Sequence, residues 1–542
     1  MDKGVSVADW IFPVRCNPRG EGDTGPHWMN GRIWWLGALV VGLTVALLVT
    51  TFGFTVTPSA AQDGPSAAAP LDVVTGNVAV GSFSSASAIP SAFWGVNVAA
   101  AQRFDPADAA AVAATPVTYL RFPAGVLAEE FNYTSGVITS LTGARSDATT
   151  STKEFVTSCK KISCRAIMQL PAEIDSPATA ADYASYVVHT LGYQPAYWEI
   201  GNGPAGWTHF DVPWSEWKSK GGGNTTPLPF ANLVHAYIAA VLKVDPAGQF
   251  LALGAGMGAG DYSKPWVEEL AKVDGKELAG ISVHSYIEGG PSNPTDAELF
   301  ANLNGVYSLP AQVPADQSYI KAACPSCTKL QIFVSEINAA EDSPYSKLLP
   351  TFAGTLYIAA ETVQGLTLHV ANLDWFAYDS DYAGSWSRHP MDWQKQYYLF
   401  SDLMTHLYPD TLPTTVTGPS TLYGIATYGQ SGLALLLVNV GTTSAVEANV
   451  ASAGFVLGRA DVTEYSWQSS AKQPSKETIS LTSTVDVPAE SIVLLTVSAG
   501  GMKSPVPVSA AATPETGATD NPRLTDPLLA PSAPIGLRDA LD

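Results

Sequence analysis

Between residues 91 and 408, short apolar runs alternate with segments that have helical patterning. The runs are continuous rather than alternating, as in strands that are buried on both faces of a parallel sheet. Eight runs with intervening helical segments predict an α/β fold, the (β/α)8 TIM barrel. The runs are 93–100, 117–123, 166–171, 196–201, 250–256, 278–286, 330–336 and 373–378. Clear helical patterning lies at 178–191, 230–244, 264–273 and 345–364.

Most of these runs end at, or close to, residues that are suited to catalysis or ligand contact. The carboxyl ends of all eight strands meet at one face of such a barrel, where active sites are built. We therefore predict a functional site at this face. The candidate residues are Asn97, Arg121, Glu173, Asn202, His284, Tyr286, Glu336 and Asp379.

The pattern changes after a last helical segment near 393–407. Residues 409–498 show strand-like alternation and turn signals, which predict a C-terminal β-sandwich domain. Residues 71–90 are also strand-like, and we expect them to join that domain. The segment 57–70 reads as a linker, and the Pro- and Ala-rich tail at 499–542 is predicted to be disordered.

The N-terminal region contains an uncharged apolar stretch at 34–56, long enough to cross a bilayer as a helix. Arg32 precedes it closely, and the next Lys or Arg after it is Arg103. This asymmetry predicts a single-pass anchor in the cell membrane, with residues 1–33 in the cytoplasm and the main body outside. The lipid bilayer is then a partner. The alternative is a signal peptide cleaved near 59–61, which would give a secreted protein.

Four of the five cysteines form two close pairs, Cys159 with Cys164 and Cys324 with Cys327. Two cysteine pairs could bind zinc. Each pair, however, precedes a different predicted strand, the third and the seventh, and these lie on nearly opposite sides of a barrel. We therefore favour two local disulfides in an oxidising compartment and expect neither a metal nor a cofactor.

The 542-residue chain carries 28 Lys and Arg against 49 Asp and Glu, a formal net charge of −21. Nucleic-acid binding needs a basic face that displaces counterions, so the charge argues against a nucleic-acid partner. Aromatic residues are plentiful while charged residues make up 14% of the chain. That combination suits sugar stacking and an ordinary core equally well.

Glu336 is a candidate nucleophile, since it closes a buried run and is soon followed by Asn338. Hydrolysis of a glycosidic bond with retention needs two carboxyl groups about 5–5.5 Å apart, a nucleophile and an acid/base. Two strand ends of a barrel can hold such a pair rigidly on either side of a sugar. The alternative is a surface carboxylate at a strand-loop junction.

Four stretches of the chain resemble the clan A retaining glycoside hydrolases, and most closely glycoside hydrolase family 79, the heparanase and β-glucuronidase group. These stretches are FWGVNVAA, LRFPAG, WEIGN followed one residue later by Pro204, and FVSEINAA. They fall on the first, second, fourth and seventh predicted strands, and the resemblance covers about residues 71–498. It implies activity on an oligo- or polysaccharide with β linkages, with glycans that contain uronic acid among the candidates.

The resemblance also implies roles for individual residues. Glu336 matches the nucleophile, Asn202 the residue that binds the sugar hydroxyl next to the reacting carbon, and Tyr286 an aromatic that hydrogen-bonds the nucleophile. Position 203 matches the acid/base, but Gly203 stands there and cannot donate a proton. His284, Arg121 and Asn97 are further candidates for substrate contact.

Three other side chains could be considered as substitute acids. Glu173 is predicted to lie at the mouth of the third strand, next to the fourth, and is the best placed; it could also be a binding or structural carboxylate. His209 is a weaker candidate. Glu199 lies four residues before position 203, about 13 Å deeper along the strand, and reads as a buried, hydrogen-bonded carboxylate.

Aromatic side chains near the fourth and eighth strands could form a platform for a sugar ring. The candidates are Trp207, Trp214, Trp217 and Trp375, and each could instead be a core residue.

Three functions follow from these patterns. The first is a membrane-anchored retaining glycoside hydrolase whose activity is impaired by the loss of the acid/base. The alternative is a carbohydrate-binding pseudoenzyme on the same scaffold. A structural cell-surface protein is a third possibility, but it leaves the Glu336 strand end unexplained.

Overall fold

The computed structural model describes residues 72–139, 145–173, 175–207, 225–255, 263–287, 289–339, 344–378, 395–452, 456–457, 461–480, 484–498 and 502–503. The predicted membrane anchor at 34–56, the linker and nearly all of the tail lie outside the described residues, as do His209, Trp214, Trp217 and Asp379. Within the described ranges, no helix is both long and apolar enough to cross a membrane.

The strands and helices are numbered in chain order. The described strands are β1 (Asp72–Val80), β2 (Ser87–Ala88), β3 (Trp94–Asn97), β4 (Tyr119–Phe122), β5 (Phe131–Asn132), β6 (Val137–Thr139), β7 (Arg145–Asp147), β8 (Arg165–Leu170), β9 (Tyr197–Ile200), β10 (Phe250–Ala255), β11 (Leu278–Ser285), β12 (Gln331–Ile337), β13 (Asn372–Trp375), β14 (Asp410–Leu412), β15 (Thr414–Thr417), β16 (Leu422–Gly429), β17 (Gly432–Asn439), β18 (Ser444–Ser452), β19 (Val456–Leu457), β20 (Asp461–Gln468), β21 (Ser475–Ser480), β22 (Thr484–Val487), β23 (Ser491–Ser498) and β24 (Met502–Lys503). The described α-helices are α1 (Pro106–Ala113), α2 (Thr152–Ile162), α3 (Pro177–Ser185), α4 (Pro227–Val241), α5 (Lys264–Asp274), α6 (Asp296–Ala301), α7 (Leu309–Ala323), α8 (Phe352–Thr367) and α9 (Lys395–Tyr398). Short 3₁₀ segments lie at Phe83–Ser85, Val126–Ala128, Pro204–Gly206, Asn302–Asn304, Pro344–Lys347 and Met404–His406, and π-helical turns at Tyr186–Thr190 and Leu399–Leu403.

Eight of the described strands close into a parallel barrel in the order β3, β4, β8, β9, β10, β11, β12, β13. Neighbours in the barrel are neighbours in sequence, and helices lie between most of them, so the predicted (β/α)8 barrel is confirmed. The eight apolar runs correspond one to one to these strands. Their apolar character follows from burial, because both faces of each strand are covered.

The interior of the barrel changes character along its axis. Near its amino-terminal end it is filled by an apolar layer that includes Tyr119, Ile167 and Phe333. Side chains two residues further along a strand point to the same face. Arg121 and Gln169 therefore follow Tyr119 and Ile167 into the interior, and both are fully buried. The apolar layer closes one end of the barrel and leaves polar groups at the other.

The small domain is a sandwich of two sheets, which the described strands form in the orders β15-β1-β18-β22 and β2-β14-β16-β17-β23-β20-β21. From Asp72 onward, the described chain therefore passes first through this domain with β1, forms the barrel and returns to the small domain. In β17 both faces are buried: Leu433, Leu435 and Leu437 face the sandwich core, whereas Leu436 and Val438 join the cluster shared with the barrel. This explains the long apolar run of that strand.

Both predicted disulfides are present. Cys159 and Cys164 join the last turn of α2 to the residue before β8, and Cys324 and Cys327 close the turn between α7 and β12. Each disulfide therefore fixes the chain where it leaves a helix and enters a barrel strand.

Candidate active site

Glu336 lies near the carboxyl end of β12, where the pairing of this strand is irregular. Val334 pairs with Val283 and Glu336 pairs with His284, so Ser335 is an extra residue on the β12 side. Such a bulge re-aims the following side chain. The Asn97 amide donates a hydrogen bond of 2.9 Å to the Ser335 carbonyl oxygen. The bulge is therefore supported from the first barrel strand.

The Glu336 carboxylate accepts hydrogen bonds through both of its oxygens. Arg121 Nη1 donates to Oε1 at 2.6 Å, and the Tyr286 hydroxyl donates to Oε2 at 2.9 Å. His284 Nδ1 lies 3.4 Å from the same Oε2. Burial raises the pKa of Glu336, while the charge of Arg121 and the two hydrogen bonds oppose that shift. The arrangement holds the carboxyl group in a fixed orientation at the mouth of the barrel.

Arg121 connects the two sides of this site. Its Nε donates to Glu199 Oε2 at 2.5 Å, its Nη1 also donates to Asn97 Oδ1, and its Nη2 donates to Asn202 Oδ1, both at 2.9 Å. The guanidinium is fully buried, and although burial disfavours its charge, Glu199 and Glu336 hold the pKa of Arg121 above its ordinary value. Arg121 and Asn97, predicted as substrate contacts, thus lie beneath the site and support its other residues.

Asn202 follows β9 and is held by side chain and backbone alike. Its Oδ1 accepts hydrogen bonds from Arg121 and, at 3.0 Å, from Gln169 Nε2. These bonds orient the amide with its oxygen toward the barrel interior. The Asn202 backbone N–H donates to the Glu129 carboxylate at 2.5 Å. Asn202 is therefore fixed at the same mouth as Glu336, and Arg121 contacts both side chains.

Gly203, the next residue, turns the chain away through a left-handed conformation with φ 59° and ψ 46°. A Cβ built there would meet no heavy atom of the described residues within 4 Å, apart from its chain neighbours. Gly201 also has a positive φ, of 78°, but a Cβ at that position would lie 2.9 Å from the Trp207 ring. The strand end thus combines a tightly packed glycine with one beside open space.

Glu129 is a site residue that the sequence did not suggest. It follows the 3₁₀ turn after β4, and besides Asn202 its carboxylate accepts the N–H groups of Ala172 at 2.5 Å and Glu173 at 2.8 Å. Burial raises the pKa of Glu129 to about 8, although the backbone hydrogen bonds favour its charged form. One carboxylate thus ties the loops after the second, third and fourth barrel strands together.

The predicted substitute acids have different environments. Glu199 is fully buried and bound to Arg121, which agrees with its interpretation as an interior carboxylate. Glu173 is largely buried at the mouth of the third barrel strand, and its charge contributes to the raised pKa of Glu129. Its proton-donor role stays a prediction.

The two described candidates for a sugar platform are buried. Trp207 is 3% exposed, and its indole N–H donates to the Asn202 carbonyl oxygen at 2.6 Å. Trp375 is 2% exposed and contacts Phe400. Burial favours the packing alternative for both rings.

His284 has one ring nitrogen without a hydrogen-bond partner among the described residues, the buried Nε2. Burial, together with the charge of Arg121, lowers the pKa of His284 to about 3, so the ring is neutral. A neutral ring can form a hydrogen bond with a hydroxyl group of a bound ligand without adding a charge beside Glu336. For metals, the described residues contain no group of three or more His, Cys, Asp or Glu side chains that could hold an ion.

No protein-family model matches the chain, and no curated protein matches it in sequence. Several solved structures do match its fold. An α-L-arabinofuranosidase from Thermotoga maritima has a TM-score of 0.63 at 15% identity, over 78% of this chain and 100% of its own. A xyloglucanase of glycoside hydrolase family 44 from Paenibacillus polymyxa has a TM-score of 0.61 at 11% identity, over 79% of this chain and 100% of its own.

A third similar structure is CelM2, a bifunctional glucanase-xylanase from a metagenome library, with a TM-score of 0.61 at 11% identity. The match covers 79% of this chain and 99% of CelM2. At these identities the comparisons establish one thing: the chain has the barrel-and-sandwich fold found in glycoside hydrolases of known structure.

Proposed function

We propose that this protein is a retaining glycoside hydrolase of the family 79 type, with Glu336 as the nucleophile and position 203 as the place of the acid/base. The observation that carries the proposal is the environment of Glu336, whose carboxylate is buried at a barrel mouth and held by Arg121 and Tyr286. A carboxylate oriented in this way is suited to attack an anomeric carbon. Asn202, joined to Glu336 through Arg121, then contacts the adjacent sugar hydroxyl.

The substrate class in this proposal is a β-linked glycan, and glycans that contain uronic acid are the specific candidates. It is supported by the names of the structural neighbours, which act on arabinose-, xylose- and glucose-containing carbohydrates. The uronic-acid specificity rests on the resemblance to family 79 alone. Arg121 is occupied by two carboxylates of the protein, so a cation for a uronate would have to come from another residue.

A carbohydrate-binding pseudoenzyme is the second candidate, and one observation favours it. Position 203 carries no side chain, whereas the groups around Glu336 and Asn202 are intact. General acid catalysis contributes about 10²–10⁴-fold, so hydrolysis of ordinary glycosides would be impaired by that amount while binding is retained. The two candidates differ in whether Glu336 still forms a covalent bond to a sugar.

Covalent labelling tests the proposal. The full chain is incubated with 2-deoxy-2-fluoro glycosyl donors that carry a dinitrophenyl leaving group, and the labelled peptide is identified by mass spectrometry. We expect one added sugar on the peptide that contains Glu336, and no label in Glu336→Gln. The exposed Glu447 in the small domain provides a control, because Glu447→Gln should label like the unchanged chain. If sugars bind but Glu336 is never labelled, the pseudoenzyme candidate replaces the proposal.

The membrane anchor is proposed from the apolar, uncharged stretch at 34–56. Fractionation of cells that express the full chain tests it, with a chain that begins at residue 57 as the control. Retention of the full chain in carbonate-washed membranes, and release of the shorter chain, is the expected result. If cells that express the full chain instead release into the medium a product that lacks about the first 60 residues, the cleaved signal peptide is supported.

A further inference from the structure

The missing side chain at position 203 limits which leaving groups the site can release. We propose that the site transfers glycosyl groups from donors whose leaving group departs as an anion to acceptors that attack as anions. The donor class comprises glycosyl esters, glycosyl phosphates, and glycosides of acidic phenols or thiols. This inference rests on the proposed function, because it takes Glu336 as the nucleophile and position 203 as the acid/base position.

The first observation is the space at position 203. The residue is partly exposed, and no described heavy atom outside its chain neighbours lies within 4 Å of a Cβ built on it. No described side chain therefore occupies the start of the path that an acid/base side chain would follow. Within that distance, no described residue would obstruct a leaving group or a small anion.

The second observation concerns the neighbouring carboxyl groups. Glu199 lies in the barrel interior, with Oε2 bound to the Arg121 guanidinium. Glu129 is 4% exposed, and both of its oxygens accept backbone N–H groups, from Asn202 on one side and from Ala172 and Glu173 on the other. Each carboxyl group thus holds part of the site. The variants Glu173→Gln and Glu129→Gln test whether Glu173, or Glu129 with its raised pKa of about 8, donates a proton.

The reaction needs no proton in its first half when the leaving group is an anion. A Glu336 carboxylate oxygen forms a bond to the anomeric carbon, the bond from that carbon to the leaving atom breaks, and its electron pair leaves with the anion. Atoms and charge balance, because one carboxylate charge is consumed and one leaving-group charge is released. An alkoxide leaving group would need the proton that Gly203 cannot supply.

The second half follows the same rule. An anionic acceptor forms a bond to the anomeric carbon with its own electron pair, and the bond to Glu336 breaks and regenerates the carboxylate. Water would have to lose a proton in this step, and the group that would accept it in a retaining glycosidase is the same missing side chain. Carboxylates, phosphate, thiolates and azide need no such base, so they are expected to react ahead of water.

A leaving-group series tests the first half. The probes are 2,4-dinitrophenyl, 4-nitrophenyl and phenyl glycosides of α-L-arabinofuranose, β-D-xylose, β-D-glucose and β-D-glucuronic acid. Phenol has a pKa of about 10, like the tyrosine side chain, so it is the leaving group that most needs an acid. For whichever sugar reacts, we expect kcat/KM to fall by about 10²–10⁴ from the dinitrophenyl to the phenyl glycoside, the range that general acid catalysis supplies.

Added anions test the second half. With the dinitrophenyl glycoside as donor, sodium azide, formate or phosphate should increase turnover, and mass spectrometry should detect the glycosyl azide, ester or phosphate. Two variants form a matched pair. Gly203→Glu introduces a carboxyl group, and Gly203→Ala places a non-glycine residue in the same left-handed conformation without a carboxyl group. We expect Gly203→Glu to flatten the leaving-group dependence and weaken the azide effect, and Gly203→Ala to keep both.

The possible outcomes distinguish a failure of this inference from a failure of the proposed function. If Glu336 is labelled by the fluorosugar but phenyl and dinitrophenyl glycosides react equally fast, with no effect of azide, the inference is wrong and the proposed hydrolase stands. If that flat dependence becomes steep in Glu173→Gln or Glu129→Gln, the substitute acid is identified and the inference is likewise wrong. If no donor labels Glu336, the proposed function itself fails. A steep dependence together with anion products supports the inference.

Discussion

The ends of the fourth and seventh barrel strands, β9 and β12, are built in different ways. At β12 the functional group is a side chain, and Arg121, Tyr286 and a strand bulge fix the Glu336 carboxylate from three directions. At β9 the position that the proposal assigns to the acid/base carries no side chain: Gly203 turns away in a left-handed conformation, and no described heavy atom outside its chain neighbours lies within 4 Å of a Cβ built on it. At the end of β12, an ion pair and hydrogen bonds fix the position of a side chain. At the end of β9, the backbone conformation alone sets the direction of the chain.

On the proposal that position 203 is the acid/base position, the difference explains how a site could lose one half of its chemistry and keep the other. The contacts of Glu336 come from Arg121 on the second strand and Tyr286 after the sixth, so they do not depend on the residue at position 203. Asn202 is likewise held by Arg121, Gln169 and Glu129. The residue type at position 203 therefore takes no hydrogen-bond partner away from Glu336 or from the Asn202 side chain.

The largest effect is expected from removing the cation that joins the two strand ends. Arg121→Met leaves Glu199 and Glu336 as buried carboxylates without their partner, and breaking a buried pair in this way costs about 3–5 kcal/mol. Urea denaturation followed by Trp fluorescence measures the loss in free energy of unfolding. Arg103→Ala is the matched control, because Arg103 pairs with Asp105 at the surface and its side chain is 62% exposed. That change should cost less than about 1 kcal/mol.

Equal losses for Arg121→Met and Arg103→Ala would contradict the central role of Arg121. The result would mean that the folded protein tolerates Glu199 and Glu336 in its interior without a cation beside them.

The pH dependence of Glu336 labelling should be one-sided. Attack needs the ionised carboxylate, and burial raises the pKa of Glu336, so the rate should fall as the pH drops through a value above the ordinary glutamate range. Each pH unit below that value lowers the ionised fraction of Glu336 about tenfold, and the rate falls with it. His284 has a pKa of about 3 and stays neutral over this range. With no acid at position 203, the rate should stay constant toward alkaline pH.

A fall in rate at alkaline pH, a second limb of the pH profile, would show that an acid takes part in the reaction. With the phenyl glycoside, whose leaving group needs an acid, this limb is expected in the kcat/KM profile of Gly203→Glu, because a bell-shaped profile reports an essential acid together with an essential base. In the unchanged chain, a fall in kcat/KM for the phenyl glycoside near pH 8 would instead identify Glu129, whose pKa burial raises to about 8, as a proton donor. Loss of that limb in Glu129→Gln would confirm the assignment.

Most of the barrel could be predicted from the sequence, because parallel strands are covered on both faces and read as continuous apolar runs. The same reasoning located Glu336, Asn202 and Tyr286, since each stands where an apolar run meets polar residues. Glu199 could be interpreted as an interior carboxylate from its distance along the strand alone.

Glu129 could not be found in this way. It lies in an irregular segment after β4, and its partners are the backbone N–H groups of Ala172, Glu173 and Asn202, 43–73 residues further along the chain. A backbone N–H carries no residue type, so no motif marks the contact. The supporting position of Arg121 could not be predicted from the sequence either. A strand pattern shows that a side chain points inward, but it does not show which groups the side chain contacts.

The smallest effects concern the two glycines at the end of β9, and they sharpen the contrast between packed and open backbone. A non-glycine residue in the left-handed region costs about 1–2 kcal/mol, so Gly203→Ala should lower the free energy of unfolding by about that amount. Gly201→Ala has the same conformational cost, and its Cβ would also lie 2.9 Å from the buried Trp207 ring. Overpacking of this kind adds about 1–3 kcal/mol. The same urea denaturation should therefore rank Gly201→Ala as the more damaging change, and the displaced Trp207 should alter the native fluorescence in that variant alone. Equal losses in the two variants would mean that Trp207 moves aside at no cost, and that the end of β9 is as open at Gly201 as it is at Gly203.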